Sequence, residues 1–160
     1  MTDASDPHGL RRFEVAQECN FDAALAELQR GRKRTHWMWY VFPQLAGLGD
    51  SEMSRRYGIR SAAEAEAYLR HPALGLRLVE CFEATLAVEG RSAHEIFGSP
   101  DDQKLRSCAT LFASVSPGGS VYERLLAKYF DGKPDGSTLE LLRTARSDAQ
   151  AREGAPASLE

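Results

Sequence analysis

The stretch SAHEIFGSPDD, residues 92–102, contains two helix starts separated by one helix stop. Ser92 and Glu95 are spaced as a capping box, in which the hydroxyl accepts from a first-turn amide and the carboxylate accepts from the cap amide. Gly98 is typical of the residue that follows a helix, because glycine adopts the left-handed conformation at little cost. The segment from Ser99 begins a second helix, with proline at its first position and acids near the positive end of its dipole. This stretch therefore predicts two helices joined by a tight connection.

The same helix-start chemistry recurs along the chain and predicts the fold class. Ser61, Ser120 and Ser137 are each followed three residues later by glutamate. Apolar residues spaced i, i+3, i+4 and i+7 accompany these starts, as expected for one buried helix face. We therefore expect an all-α fold, a compact single-domain bundle of roughly seven to ten helices, several of them short. The predicted helices lie near residues 10–18, 21–30, 35–42, 51–57, 62–70, 72–89, 93–97, 100–115, 121–131 and 138–150.

The segment 36–42 has the weakest pattern of these helices. It is apolar on both faces, so it fits a buried strand as well as a helix. A helix is favoured because Thr35 can cap it, Pro43 ends it, and no partner strand is visible.

The 160 residues are enough for one domain with its own core. That domain is expected to span residues 9–150, with loose termini at 1–8 and 151–160. The three cysteines are far apart and odd in number, which favours free thiols in a reducing cytoplasm. The net charge of −3 gives no general attraction to nucleic acid or anionic membranes, and no apolar run is long enough to cross a bilayer.

Residues 31–44, GRKRTHWMWYVFPQ, combine cations with aromatic rings and contain both tryptophans of the chain. No acid occurs across residues 28–49, so a local basic patch lies within an acidic protein. A flat ring can stack on an indole while a lysine meets a phosphate, so the segment fits a ligand that joins the two. In this hypothesis Lys33 binds the phosphate, and Trp37 or Trp39 stacks on the ring.

Four further residues complete the candidate site. His36 is the candidate general acid–base group, since histidine titrates near neutrality, and Asp102 is its candidate acidic partner. Gln44 and Lys104 are two further candidate ligand-binding residues. Plainer alternatives stay open: the aromatic residues are core, His36 is a hydrogen-bonded structural residue, and Asp102 complements a helix dipole. No metal site is predicted, because no two histidines have metal-ligand spacing on one helix.

The chain resembles a bacterial domain of unknown function, the family numbered eighteen-ten. The resemblance rests on HWMW at 36–39, FPQ at 42–44 and GLG at 47–49, and it extends over roughly residues 10–143. It implies a compact all-helical bacterial domain with no settled activity. Members are often labelled calpastatin-like, which does not suit this chain, because a calpain inhibitor of that type would be long, disordered and repeated.

Two functional hypotheses from different classes follow. In the first, a pocket around the HWMW segment binds a phosphate-bearing or nucleotide-like small molecule, with hydrolysis or transfer at a nucleotide or ribose derivative if the protein is an enzyme. In the second, the same surface is a non-catalytic protein-interaction module. An enzyme needs a concave site with converging polar groups, whereas a module needs a broad exposed patch. No cofactor or membrane partner is expected. Nucleic acid is a less favoured partner, because one short basic run in an acidic chain is weak support for nucleic-acid binding.

Overall fold

Ten helices form the described part of the chain, which a computed structural model gives as residues 5–154, with side chains for residues 5–145. They are α1 Arg11–Glu18, α2 Phe21–Gln29, α3 Met38–Val41, α4 Glu52–Tyr57, α5 Ala62–Arg70, α6 Leu74–Leu86, α7 Ala93–Phe97, α8 Asp101–Ser114, α9 Val121–Phe130 and α10 Gly136–Gly154. Within this part the one β pairing is an isolated parallel bridge between Leu45 and Ile59. The all-α prediction is confirmed, and the arrangement is consistent with one bundle. No helix of the described residues is long and apolar enough to cross a bilayer.

Cap chemistry explains where several helices begin. Ser92 and Glu95 form the reciprocal capping box at α7, with hydrogen bonds of 3.1 and 2.8 Å. Ser61 caps α5 and Ser120 caps α9, each through the amide three residues further on. The glutamates of these two starts, Glu64 and Glu123, accept hydrogen bonds from other groups, so only the serine half of each predicted capping box forms.

The start of α10 differs from the prediction that Ser137 caps it. The helix begins at Gly136, and the Asp135 carboxylate accepts hydrogen bonds from the Thr138 amide at 2.9 Å and from its hydroxyl at 2.6 Å. A carboxylate accepts more strongly than a hydroxyl and also favours the positive end of the helix dipole. Asp135 therefore replaces the predicted serine as the cap.

Two other predicted starts are also wrong. Thr35 does not cap α3, because its hydroxyl donates to the Glu27 carboxylate, and that helix begins only at Met38. At α8 the first helical residue is Asp101, and Pro100 is the cap residue rather than the first position. Helix α3 starts later than expected because Thr35 binds Glu27. Helix α8 starts one residue later than expected because Pro100 is not in the helical conformation.

The central helix is α8, because small and apolar side chains cover most of its circumference. It packs against α5, α7, α9 and α10, while α6 packs against α2, α5 and α9. Its buried residues are Leu105, Ser107, Cys108, Ala109, Thr110, Leu111 and Phe112. A continuous line of ring contacts runs through the core from Phe13 on α1 to Trp37. The core therefore ends beside the segment that the sequence singled out.

Parts of the two terminal segments, expected at residues 1–8 and 151–160, fall within the described structure. The Asp6 carboxylate accepts hydrogen bonds from two amides at the start of α1. At the other end, α10 continues to Gly154, beyond the end expected near residue 150. Residues 1–4 and 155–160 of the predicted termini lie outside the described residues.

Gly58 permits a close backbone approach near the candidate site. A Cβ at this position would lie 2.8 Å from the Ala46 Cα, so a side chain would collide with backbone. Two hydrogen bonds hold the approach, from the Ala46 amide to the Ile59 carbonyl at 2.7 Å and from the Ile59 amide to the Gln44 carbonyl at 2.9 Å. They fix the position of Gln44.

Candidate functional site

One buried carboxylate, that of Glu27 on α2, fixes the segment between α2 and α3. Its Oε1 accepts hydrogen bonds from the Arg34 amide at 2.7 Å, the Thr35 amide at 3.0 Å and the Trp37 indole at 2.9 Å. Its Oε2 accepts from the Thr35 hydroxyl at 2.6 Å. Because one side chain satisfies donors from three residues, this segment has a defined shape.

These hydrogen bonds also set the charge of Glu27. Burial raises the pKa of a carboxyl, but the donors from Thr35, Arg34 and Trp37 outweigh it and lower the pKa of Glu27 to about 2. No sequence pattern predicts this role for Glu27. The available signal was an acid next to Leu28 and three residues after Ala24, on the buried face of α2.

Lys33 points into the protein rather than toward solvent. Its side chain is 7% exposed, and its Nζ lies 2.9 Å from Asp101 Oδ2. The same Nζ donates to the Thr35 carbonyl at 2.6 Å and lies 5.0 Å from the centroid of the Trp37 ring. Its amide donates to the Ile96 carbonyl at 2.7 Å. Lys33 is therefore fully engaged and ties this segment to α7 and the start of α8.

The two tryptophans of the segment have different surroundings. Trp37 is 1% exposed, and its ring packs against Phe42 and Phe97 with centroid distances of 6.0 and 6.5 Å. Trp39 is only partly buried, and no described residue accepts a hydrogen bond from its indole N–H. One indole is part of the core, and the other borders the surface.

Trp39 lines a small cavity together with Gln44 and Lys104. The Lys104 Nζ lies 5.1 Å from the Trp39 ring centroid and 3.6 Å from Asp101 Oδ1. The cavity volume is about 10 Å³, room for a water-sized group. The side-chain amide of Gln44, half-buried, makes no hydrogen bond within the described residues. The remaining walls are Met38, Phe42, Met53, Ser54, Tyr57 and Gly58.

The Asp101 carboxylate joins the two tryptophan regions. One oxygen pairs with Lys33, beside the buried Trp37, and the other faces Lys104, above Trp39. One acid between two cations leaves a locally positive cluster. Lys104 is the more loosely held cation, because its ion pair is longer and its side chain is 23% exposed.

The predicted catalytic pair is not joined by any contact. The His36 side chain is exposed and has no partner among the described residues, although its carbonyl lies 3.4 Å from the Tyr40 hydroxyl. Asp102 instead faces His94, with 3.5 Å between Oδ2 and Nδ1. No cluster of histidine, cysteine or acidic side chains in the described part could hold a metal ion.

The structure thus brings together only some of the residues named from the sequence. Trp39, Gln44 and Lys104 meet at one cavity, while Lys33 and Trp37 lie on the other side of the shared carboxylate. The cavity offers a stacking face, a cation and an amide, which can bind a ring and an anion. It offers no histidine for proton transfer.

The sequence matches a family model described as protein of unknown function (DUF1810) over residues 7–142, which confirms the resemblance seen in the sequence. A similar solved structure is the crystal structure of the conserved hypothetical protein Rv1873 from Mycobacterium tuberculosis. The two chains are 51% identical with a TM-score of 0.85, over 86% of this chain and 99% of that one. No curated protein matches the chain.

Proposed function

The chain belongs to the DUF1810 family, and we propose that it binds a small molecule in which a planar ring is joined to a phosphate. The observation that carries this proposal is the meeting of Trp39, Gln44 and Lys104 at one cavity. Each has binding capacity to spare: a partly exposed ring, an amide without a described partner, and an ammonium whose one ion pair among the described residues is 3.6 Å long.

The three side chains take different parts of the ligand. Trp39 stacks on the ring, Lys104 pairs with the phosphate, and Gln44 forms hydrogen bonds with the polar edge of the ring. Lys33, to which the sequence assigned the phosphate, supports the site from behind, because it is 7% exposed and already paired. Trp37 supports it in the same way from within the core.

Binding requires the cavity to open, because about 10 Å³ is far below the roughly 300–1,000 Å³ of ligand pockets. Lys104 and Met53, which border the cavity, have long unbranched side chains that can change rotamer. When Lys104 leaves the Trp39 ring, the stacking face and the cation become available together. We therefore expect the ligand to occupy the place from which Lys104 moves.

The narrower hypothesis of hydrolysis or transfer at a nucleotide or ribose derivative gains little from the geometry. His36 and Asp102 share no contact, and neither lines the cavity. General acid–base catalysis needs its groups within hydrogen-bond reach of the reacting atoms. Ligand binding without an assigned reaction is therefore the function that these contacts support best.

A protein-interaction module at the same surface is less favoured. Such a module needs a broad exposed apolar patch. The large apolar side chains that are exposed in the described part lie on other elements, at Val15, Leu76, Val79 and Leu139.

We place the protein in the cytoplasm as part of the same proposal. Cys19, Cys81 and Cys108 are free thiols, and the last two are buried. Free thiols are typical of a reducing compartment. Cell fractionation against a periplasmic marker tests this location.

Isothermal titration calorimetry with AMP, ADP-ribose and ribose 5-phosphate tests the binding proposal, with adenosine as the ligand that lacks a phosphate. We expect phosphorylated ligands to bind more tightly than adenosine. Lys104→Met should weaken them about tenfold or more, because a charged hydrogen bond contributes about 1.5–3 kcal/mol. Lys133→Met removes an exposed ammonium without a described partner and should bind as the parent does.

Asp101→Asn sharpens this experiment, because Asp101 competes with the phosphate for Lys104. We expect Asp101→Asn to bind phosphorylated ligands more tightly than the parent. Asp102→Asn makes the same charge change one residue further on and should have little effect. If neither the parent nor Asp101→Asn binds any of these ligands, the proposal fails and the interaction module becomes the better hypothesis.

A further inference from the structure

Residues 31–34 follow α2 directly and have no regular secondary structure. Gly31 has a φ of +79°, the left-handed conformation that ends a helix, and the Arg32 amide returns to a carbonyl of the last turn of α2 at 3.1 Å. Lys33 points into the protein toward the start of α8, whereas Arg32 and Arg34 on either side of it are exposed.

Arginines without a partner are concentrated at this segment. Within the described side chains, the arginines that make no hydrogen bond, ion pair or ring contact are Arg11, Arg30, Arg32, Arg34 and Arg91. All but Arg11 lie here. Arg30 ends α2, and the Arg91 Cδ lies 3.5 Å from where a Cβ of residue 31 would be. Most arginines with described side chains are held by carboxylates, carbonyls or rings, so this group is an exception.

No described acid forms an ion pair with any of these four arginines. The Glu27 carboxylate, which lies beneath it, is used by two amides, a hydroxyl and an indole. The Glu95 carboxylate, within electrostatic reach of Arg91, is held at the Ser92 amide at 2.8 Å. The overall charge of −3 therefore hides a locally positive surface.

The backbone under these arginines is fixed before any partner arrives. The Arg34 amide binds Glu27 and the Lys33 amide binds the Ile96 carbonyl, each at 2.7 Å. A preorganised surface loses less conformational entropy on binding. The large exposed apolar side chains of the described part lie outside residues 28–36 and 88–95, so this surface lacks the apolar anchors that protein partners use.

We propose that this arginine strip, Arg30, Arg32, Arg34 and Arg91, binds the phosphodiester backbone of a single-stranded nucleic acid. A guanidinium pairs with phosphate through two parallel hydrogen bonds. Each of the four arginines is exposed and without an ion pair, so each is available to one phosphate of a strand. Phosphate contacts carry no sequence information, so we expect binding to be largely independent of base sequence.

The strip is independent of the ligand cavity, since Trp39 and Lys104 take no part in it. The basic run is a weak signal for nucleic acid in the sequence, but the fold removes Lys33 from the surface and brings Arg91 next to Gly31, beside the exposed Arg30 and Arg32. Because the rest of the chain is acidic, binding is weak and falls steeply with salt.

Fluorescence anisotropy with labelled oligo(U) and oligo(dT) of about 16 nucleotides, over a range of salt concentrations, tests the strip. We expect both strands to bind the parent at low salt. Arg32→Gln/Arg34→Gln should weaken binding about tenfold or more, and should reduce the salt slope by about 1.4, from about 0.7 for each lost phosphate contact. Tighter binding of oligo(U) than of oligo(dT) would identify RNA as the source of the backbone, through its 2′-hydroxyls.

Arg11→Gln/Arg70→Gln is the matched control, because it gives the same net charge through exposed arginines of other helices. It should bind as the parent does. Equal weakening by both double variants, or no binding of either strand to the parent, would overturn the proposal. So would tighter binding of a duplex of the same length, or equally tight binding of poly-glutamate, which would indicate an acidic protein partner. Melting temperatures of the three proteins verify that each is folded.

Discussion

Trp37 and Trp39 stand two residues apart, and each has a lysine ammonium close to its ring, at 5.0 and 5.1 Å from the centroid. Their environments are nevertheless opposite. Trp37 is 1% exposed and donates to the Glu27 carboxylate, whereas Trp39 borders a cavity and has no described hydrogen-bond partner. A cation over an indole therefore does not by itself identify a binding site. The partner of the indole N–H separates the structural tryptophan from the one available to a ligand.

The difference arises from the short helix that carries them. Residues two apart on a helical turn point in nearly opposite directions, so Trp37, the cap residue of α3, and Trp39, in its first turn, face different sides. Glu27 then decides which side is interior, because its carboxylate draws the Trp37 indole and the preceding amides toward α2.

The largest expected contrast is in stability. Trp37→Ala should lower the free energy of unfolding by about 3–5 kcal/mol, as large core truncations do. Trp39→Ala should cost only about 1–2 kcal/mol, because part of its ring is already in water. Urea denaturation measures both. Equal costs would contradict the division into a core indole and a surface indole.

The second contrast concerns pH. The pKa of Glu27 is lowered from an ordinary 4.5 to about 2 in the folded protein. Its contribution to the free energy of unfolding is therefore complete above pH 4.5 and is lost as the pH falls toward 2. A shift of this size corresponds to about 3 kcal/mol. Glu27→Gln should lower stability by about that amount at neutral pH and flatten the stability curve between pH 4.5 and 2.

Glu80→Gln is the control for this experiment, because Glu80 is exposed and has no described partner. Denaturant midpoints of the parent and both variants, taken across the acid range, give the comparison. A Glu27→Gln curve parallel to that of the parent would show that this carboxylate does not hold the buried indole in place.

The smallest contrast concerns the two lysines that share Asp101. Lys33→Met should cost about 1–3 kcal/mol, because it leaves the Thr35 carbonyl without its donor and removes the shorter ion pair. Lys104→Met should cost about 0–1 kcal/mol, as expected for a longer and more exposed pair. Thermal unfolding measures both. If Lys104→Met lowers stability more than Lys33→Met does, Lys104 has the structural role and is not the lysine available to a ligand.

The helices could largely be predicted from local signals, and the failures have local causes. Hydroxyl caps, apolar spacing and glycine or proline stops located most of the ten helices, since these signals act within a few residues of chain. The start of α10 was misplaced because two neighbouring residues, Asp135 and Ser137, both suit a cap. The start of α3 was misplaced because Thr35 donates to an acid eight residues earlier, a competition that no capping pattern contains.

The site could be predicted only in its residue types. The sequence indicated that cations and aromatic rings belong together around residues 33–44, and it named Lys104 from a distant helix. It could not show that Lys33 turns inward, because that depends on the position of Asp101. Glu27 escaped notice because its donors come from residues 34–37, and only the fold makes a buried acid there favourable.

By itself, then, the sequence determined that this chain is helical, where its helices lie and which segment is chemically unusual, because caps and apolar periodicity act over one or two helical turns. The tertiary structure decided which tryptophan is core, which lysine is the more loosely held and which arginines are exposed. Those outcomes depend on the partner that each polar group meets, and Asp101 meets Lys33 across 68 residues of chain. Burial and pairing depend on which distant residues the fold brings into contact, so no pattern within one or two helical turns could have specified them.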